Sequence, residues 1–196
     1  FELSKYFLLH KKNILIEKPL YLRIKEINLI YRLAKKNNCL FYTAYNHRFE
    51  PNILRIKNEL QLYKSKIYYI KLFYGNGTVI DVKSNKWKKD KLGVISDLIP
   101  HLLDTLIFTL GYKKIAKITL HTASNFESKT TDHSIISFLY GDIFVELEVS
   151  LCSWKNNFKY DIYTKKNSFH IESLCKWGHT SYIRYNRKIP SGYPKI

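Results

Sequence analysis

Two stretches decide the fold: residues 13–20, N-I-L-I-E-K-P-L, and residues 40–51, L-F-Y-T-A-Y-N-H-R-F-E-P. In the first, Ile14, Leu15 and Ile16 form an apolar run too short for a helix and closed by Pro19, which predicts a strand covered on both faces, as in a parallel sheet. The second predicts a strand over Leu40–Tyr45. Between them, Leu22–Asn38 places apolar residues at 22, 24, 27, 29, 30 and 33 and ends in Lys35-Lys36-Asn37-Asn38. That is a helix whose last turn puts cations at the negative end of its dipole and asparagine where the chain must turn away. Upstream, Phe1–Lys12 reads as the end of a helix with a basic last turn. Downstream, Pro51 opens a helix through Ile53, Leu54, Ile56 and Leu60, proline being suited to a first turn. Helix, strand, helix, strand, helix is the alternation of a parallel α/β sheet.

Beyond about Lys64 the pattern changes. Ile67–Phe73, Ile115–His121, Ser134–Tyr140, Ile143–Leu151, Lys159–Thr164 and Phe169–Glu172 read as strands, with Gly141-Asp142 as a hairpin turn. One helix, Leu98–Leu110, interrupts them and stops at Gly111. The fold class expected is therefore α/β plus α+β: the end of a parallel sheet, then a mostly antiparallel open sheet with packed helices.

The 196 residues suffice for a real core, and 45% hydrophobic content excludes a disordered polyelectrolyte. No apolar run reaches the length of a membrane span. The net charge of +17 raises the question of nucleic acid. Lysine outnumbers arginine 27 to 6, however, and the lysines are dispersed as pairs, whereas base readers favour clustered arginine. Neither nucleic acid nor membrane is expected as a partner. Cys39, Cys152 and Cys175 form no CxxC pair and cannot all be bridged within one chain, which fits a reducing, cytoplasmic setting. Asn76-Gly77-Thr78 then reads as a turn. With no methionine and Phe1 inside an apolar-periodic segment, the sequence reads as a piece of a longer protein.

Four segments carry candidate chemistry. A lysine at the carboxyl end of a parallel strand, as in Glu17-Lys18-Pro19, sits where open α/β sheets bind ligands, and a desolvated ammonium there can release its proton near neutral pH. By itself the tripeptide more often marks a surface lysine before a turn. In Ser96–Asp104 (S-D-L-I-P-H-L-L-D), Asp97 and His101 are four residues apart, so a carboxylate and an imidazole share one helix face, with Asp104 a turn on. A carboxylate can fix the orientation of an acid–base imidazole; a capped helix start with a satisfied histidine explains the segment equally well. Tyr45-Asn46-His47-Arg48-Phe49 places an amide, an imidazole and a guanidinium at the same sheet edge as Lys18, although a polar loop after a strand accounts for them too. Trp87-Lys88 puts an aromatic ring beside a cation in the loop before Gly93. His47 and His101 lack the spacing of zinc motifs, and no metal is expected.

In this order, I-L-I-E-K-P-L (14–20), Y-N-H-R-F-E-P (45–51), the Trp87 loop and G-V-I-S-D-L-I-P-H-L-L-D (93–104) resemble the signature blocks of the Gfo/Idh/MocA family of NAD(P)-dependent oxidoreductases. The likeness spans most of the chain. S-F-H-I-E-S-L-C-K-W-G (168–178) is similar to the late sheet of members acting on nucleotide-linked sugars in polysaccharide synthesis. The resemblance implies that residues 1–64 are the remnant of a dinucleotide-binding Rossmann domain. Residues 65–196 would be a truncated C-terminal α/β domain for substrate binding and oligomerisation.

It further implies hydride transfer between NAD or NADP and a secondary alcohol of a sugar or nucleotide-sugar, in a homo-oligomer joined through the open sheet. Lys18, Asp97 and His101 would be catalytic. Glu17, Lys18, Pro19, Asn46, Arg48 and Trp87 would border the cofactor, and Lys18, His101 and Asp104 the substrate. Two departures stand out: Ile99 occupies the place of the usual glycine two residues before the histidine, and the glycine run before the aspartate is reduced to Lys91-Leu92-Gly93. The G-x-G-x-x-G turn is not in the sequence; it would lie upstream of Phe1, so the chain alone is expected to hold NAD(P) weakly. The alternative is a non-catalytic, ligand-binding or scaffolding relative of the same fold.

Overall fold

A computed structural model of the chain describes residues 1–18, 20, 23–84 and 93–188. The chain forms two compact units, Phe1–Asn46 and a larger one beginning at His47.

In the smaller unit, α1 (Glu2–Leu9) and α2 (Ile24–Lys36) accompany two parallel strands, β1 (Ile14–Ile16) and β2 (Phe41–Thr43). Leu8 and Ile30, fully buried, and Ala34 form its core with Phe1, Ile14, Leu33, Cys39 and Phe41 around them. Lys35 and Lys36 occupy the last turn of α2, and Asn38 takes the left-handed conformation that ends it. Glu26, in the first turn, accepts the N–H of Arg23 at 2.8 Å.

The larger unit is built on a seven-stranded sheet in the order β4-β5-β6-β3-β7-β8-β9. The strands are β3 (Ile67–Gly75), β4 (Ile115–Ser124), β5 (His133–Tyr140), β6 (Ile143–Ser150), β7 (Asn157–Thr164), β8 (Asn167–Glu172) and β9 (Ser181–Asn186). Only β3 and β6 run parallel; every other neighbouring pair is antiparallel. Strand alternation sends Ile70, Leu72 and Tyr74 of β3, Val145, Leu147 and Val149 of β6, and Phe158, Tyr160 and Ile162 of β7 into the core. There they meet α3 (Pro51–Tyr63), through Ile53 and Ile56, and α5 (Val94–Leu110), through Val94, Leu98, Leu102 and Leu106. The other side chains of the central strands, among them Lys71, Phe73, Glu146, Glu148, Lys159 and Asp161, line a shallow hollow on the opposite face. Lys71 pairs there with Glu146 at 3.2 Å. The fold class expected from sequence is the one observed: a small parallel sheet, then a mostly antiparallel sheet with packed helices.

Four elements differ from expectation. Strand β1, expected to be covered on both faces, leaves Leu15 69% exposed. The helix predicted from Leu98 begins four residues earlier, at Val94. A short α4 (Val79–Ser84) follows β3, inserting Val79 and Val82 into the core. Strand β9 carries no clear period-2 signal, being exposed along most of its length. It is tied down by α3 instead: the Arg184 guanidinium donates to Glu59 and to the Tyr63 hydroxyl. Asn76 makes the expected turn, its side-chain oxygen accepting the Thr78 N–H at 3.1 Å and hydroxyl at 2.7 Å. The three cysteines are free thiols. Among the described residues no helix is long and apolar enough to cross a membrane.

Gly93 explains the early start of α5. It has φ 50° and ψ −120°, and the next N–H, that of Val94, donates to the Thr131 carbonyl at 2.8 Å. A Cβ on Gly93 would collide with that same carbonyl oxygen. Replacing it with alanine adds backbone strain of about 1–3 kcal/mol to the clash. A Gly93→Ala chain should therefore unfold at distinctly lower urea concentration than the parent, and an unchanged midpoint would show that the loop holding Thr131 yields freely.

Candidate active site

In the smaller unit, the parallel register of Ile16 with Thr43 brings the carboxyl ends of β1 and β2 side by side, and Ala44 N–H donates to the Ile16 carbonyl at 2.8 Å. Glu17 and Lys18 leave β1 at this edge, and Tyr45 and Asn46 leave β2 at the same edge. Lys18 is half-buried, while Glu17 and Asn46 are exposed. Pro19 and Trp87, both expected beside a cofactor, lie outside the described residues.

In the larger unit the site is organised by α5. Asp97, His101 and Asp104 follow one another at helical spacing; His101 and Asp104 are buried and Asp97 is half-buried. The 3-10 turn Asn46–Phe49 docks two successive side chains on this helix. The His47 ring stacks on the His101 ring, with centroids 4.4 Å apart and planes 19° from parallel. Arg48 donates from Nε to Asp104 Oδ2 at 2.8 Å and from its terminal nitrogen to Oδ1 at 2.5 Å. Both carboxylate oxygens of Asp104 are thus taken up by the planar fork of one guanidinium, an arrangement only arginine provides.

Tyr74, at the end of the inward row of β3, packs 5.4 Å from His47, 5.7 Å from His101 and 5.5 Å from Trp177. Phe158 of β7 meets His47 edge-on at 5.5 Å. Burial, and secondly the charge of Asp97, push the Tyr74 phenol up to about 12. It therefore stays protonated and able to donate throughout the neutral range. Sequence reasoning did not find Tyr74, Phe158 or Trp177, and gave His47 no role beyond a polar strand end or a metal ligand. The one available signal was the period-2 row Ile70, Leu72, Tyr74, which aims the tyrosine at the helix side of the sheet.

These phenols have a consequence for stability. The Tyr160 hydroxyl, fully buried and hydrogen-bonded to Thr109 at 2.7 Å, is also pushed up by burial. An unfolded tyrosine ionises near 10. A group whose pKa is raised by folding stabilises the fold fully below its unfolded value, and that contribution is lost as pH rises through the folded value. The urea midpoint should therefore fall from about pH 10 upward, and less steeply in a Tyr74→Phe, Tyr160→Phe chain. Identical slopes in parent and variant would remove the phenols as the cause.

No family model matches the chain, and none of the curated proteins matches it in sequence. Solved structures do match. A protein from Desulfitobacterium hafniense assigned as an NADPH-dependent oxidoreductase superposes on 97% of the chain, with a TM-score of 0.82 at 16% identity. The chain has that protein's fold. An inositol dehydrogenase homologue from Azotobacter vinelandii, complexed with NAD+, gives 0.76 at 14% identity over 95% of the chain. An oxidoreductase from Agrobacterium radiobacter, in complex with NAD+, L-tartaric acid and magnesium, gives 0.72 at 17% identity over 93%. The chain spans 58%, 55% and 56% of those three chains respectively.

Proposed function

We propose that the protein is an NAD(P)-dependent oxidoreductase of the Gfo/Idh/MocA family, acting on a secondary alcohol of a sugar or nucleotide-sugar. The observation that carries this reading is the α5 face, where Asp97 lies one turn before a buried His101, on a fold shared with NAD-bound oxidoreductases. The residues present suit a nicotinamide cofactor, because the two parallel strands end together and deliver a lysine and an amide at the edge where such sheets take ligands. Glu17, Lys18, Pro19, Asn46, Arg48 and Trp87 would border it. When bound, the cofactor supplies a hydride acceptor or donor at the nicotinamide C4.

The protein's own part is proton management. As hydride leaves the carbinol carbon, its hydroxyl must lose a proton, and His101 and Lys18 are the groups assigned to hold it, in the reverse direction to return it. Asp97 orients the imidazole. Asp104, held by Arg48, borders the substrate pocket from the next turn of α5. In this reading the chain up to about residue 64 closes the dinucleotide-binding domain, and the remainder carries substrate. Copies of the protein associate through the charged open face of the sheet, and the three free thiols suit a cytoplasmic setting.

The test is hydride transfer in the protein purified from its natural source, followed by nicotinamide absorbance over a panel of sugars and nucleotide-sugars. Lys18→Ala and His101→Ala are each expected to lower turnover by roughly 10²–10⁴-fold while the fold is retained. Near-normal rates in either variant reject these proton-transfer roles and favour a non-catalytic relative.

A further inference from the structure

The ring stacked on His101 is itself an imidazole, that of His47. What an imidazole adds is a second titratable group. His47 is 1% exposed and His101 6% exposed. Their rings lie face to face inside a box closed by Tyr74 and the edge of Phe158. The register is locked twice, because the next residue, Arg48, grips Asp104 three positions along the same helix. His47 therefore cannot slide off His101 without breaking a bidentate ion pair.

Burial disfavours an imidazolium, and a second positive charge at stacking distance disfavours it far more. Strongly interacting groups of this kind titrate as a pair, not singly. The charged and titratable groups around the pair decide which ring is favoured. On α5, Asp97 lies one turn before His101, and Asp104 is neutralised by Arg48. On β3, Tyr74 stays protonated. Glu50, which follows the 3-10 turn, accepts the backbone N–H of Cys175 at 2.8 Å. Asp97 shares a helix face with His101, which favours charge on that ring.

We propose that His47 is a positioning residue for His101: the stacked imidazoles form a pair that holds one proton, carried by His101, while His47 stays neutral behind it. His47 would keep the acid–base ring flat and in place, and would ensure that the site gains a single charge when it takes up a proton. This inference rests on the reading of His101 as the acid–base group.

The experiment is a pH titration, from 5 to 9, of the ring 1H–13C signals in the 196-residue chain labelled at histidine, with no cofactor or substrate added. Parent, His47→Phe and His101→Asn chains are compared, and retained backbone NMR dispersion checks the fold of each. In the parent, the His101 ring should titrate and the His47 ring should not. In His47→Phe, which keeps the stack, the His101 midpoint should move by less than half a unit. In His101→Asn, the His47 ring should begin to titrate within the range, its midpoint raised by at least one unit. Two independent midpoints unchanged by either substitution, or no titration of either ring in any chain, overturns the proposal. Should His101→Asn fail to fold, a parent chain in which both rings titrate still overturns it, and one in which His101 alone titrates supports it. The titration needs no turnover, so its failure leaves the dehydrogenase reading intact, and an inactive enzyme with coupled rings leaves this one intact.

Discussion

Replacing Arg48 with alanine is expected to cost the fold about 1–3 kcal/mol, as leaving a buried acceptor without its donor does. The reason is what remains behind. The Asp104 side chain is only 7% exposed, and both of its oxygens are satisfied by Arg48. Without the guanidinium, the carboxylate must stay charged in a poorly solvated place, take up a proton, or force α5 to move. The loss extends further, because the Arg48 guanidinium also lies 5.7 Å from the Phe108 ring, whose face is approached by the Lys57 ammonium.

Arg48→Lys should recover little, since an ammonium cannot make the two parallel bonds. The double variant Arg48→Met, Asp104→Leu should recover most of the loss, because an apolar pair of similar bulk avoids the buried charge. Urea unfolding of the four chains, compared at pH 7, checks this. If Arg48→Ala unfolds within half a kcal/mol of the parent, the ion pair contributes packing alone and the registration of the 3-10 turn on α5 must have another cause.

The second large effect is on catalysis. Removing a positioned acid–base group typically costs roughly 10²–10⁴-fold in rate, so on the proposed dehydrogenase reading His101→Ala and Lys18→Ala should each lower kcat by that order. The two losses differ in character. His101→Ala also opens the aromatic box against Tyr74 and His47, so a His101→Asn variant, which keeps more of the bulk, separates lost proton transfer from lost packing. Lys18→Ala removes a half-buried cation that is not a member of the core cluster, and its folding midpoint should stay within about 0.5 kcal/mol of the parent. Asp97→Asn should lower kcat less than either and leave cofactor affinity unchanged. If kcat survives in both alanine variants and only KM rises, the two residues bind substrate and the proton goes elsewhere.

Much of this architecture could be read along the chain. The strands of the central sheet were legible because apolar residues recur at every second position along them, and the hairpin at Gly141-Asp142 because glycine there adopts positive φ. The likeness of face between Asp97, His101 and Asp104 was legible for the same kind of reason, since helical spacing is a local property. The elements that went unread lacked a local signal. Helix α4 has six residues and is held in place through Val79 and Val82 in the core. Strand β9 depends on side chains of α3 more than a hundred residues away.

The sequence alone determined the class of fold and which titratable residues share the α5 face, because periodicity and short motifs are written in neighbouring positions. Tertiary structure alone decided which of those residues meet. It gave Asp104 to Arg48, pressed His47 against His101, and closed the pair with Tyr74 and Phe158. Such partnerships join positions far apart along the chain, and no local preference encodes them. They follow from the packing of one helix on one sheet, where burial makes each polar contact costly to lose.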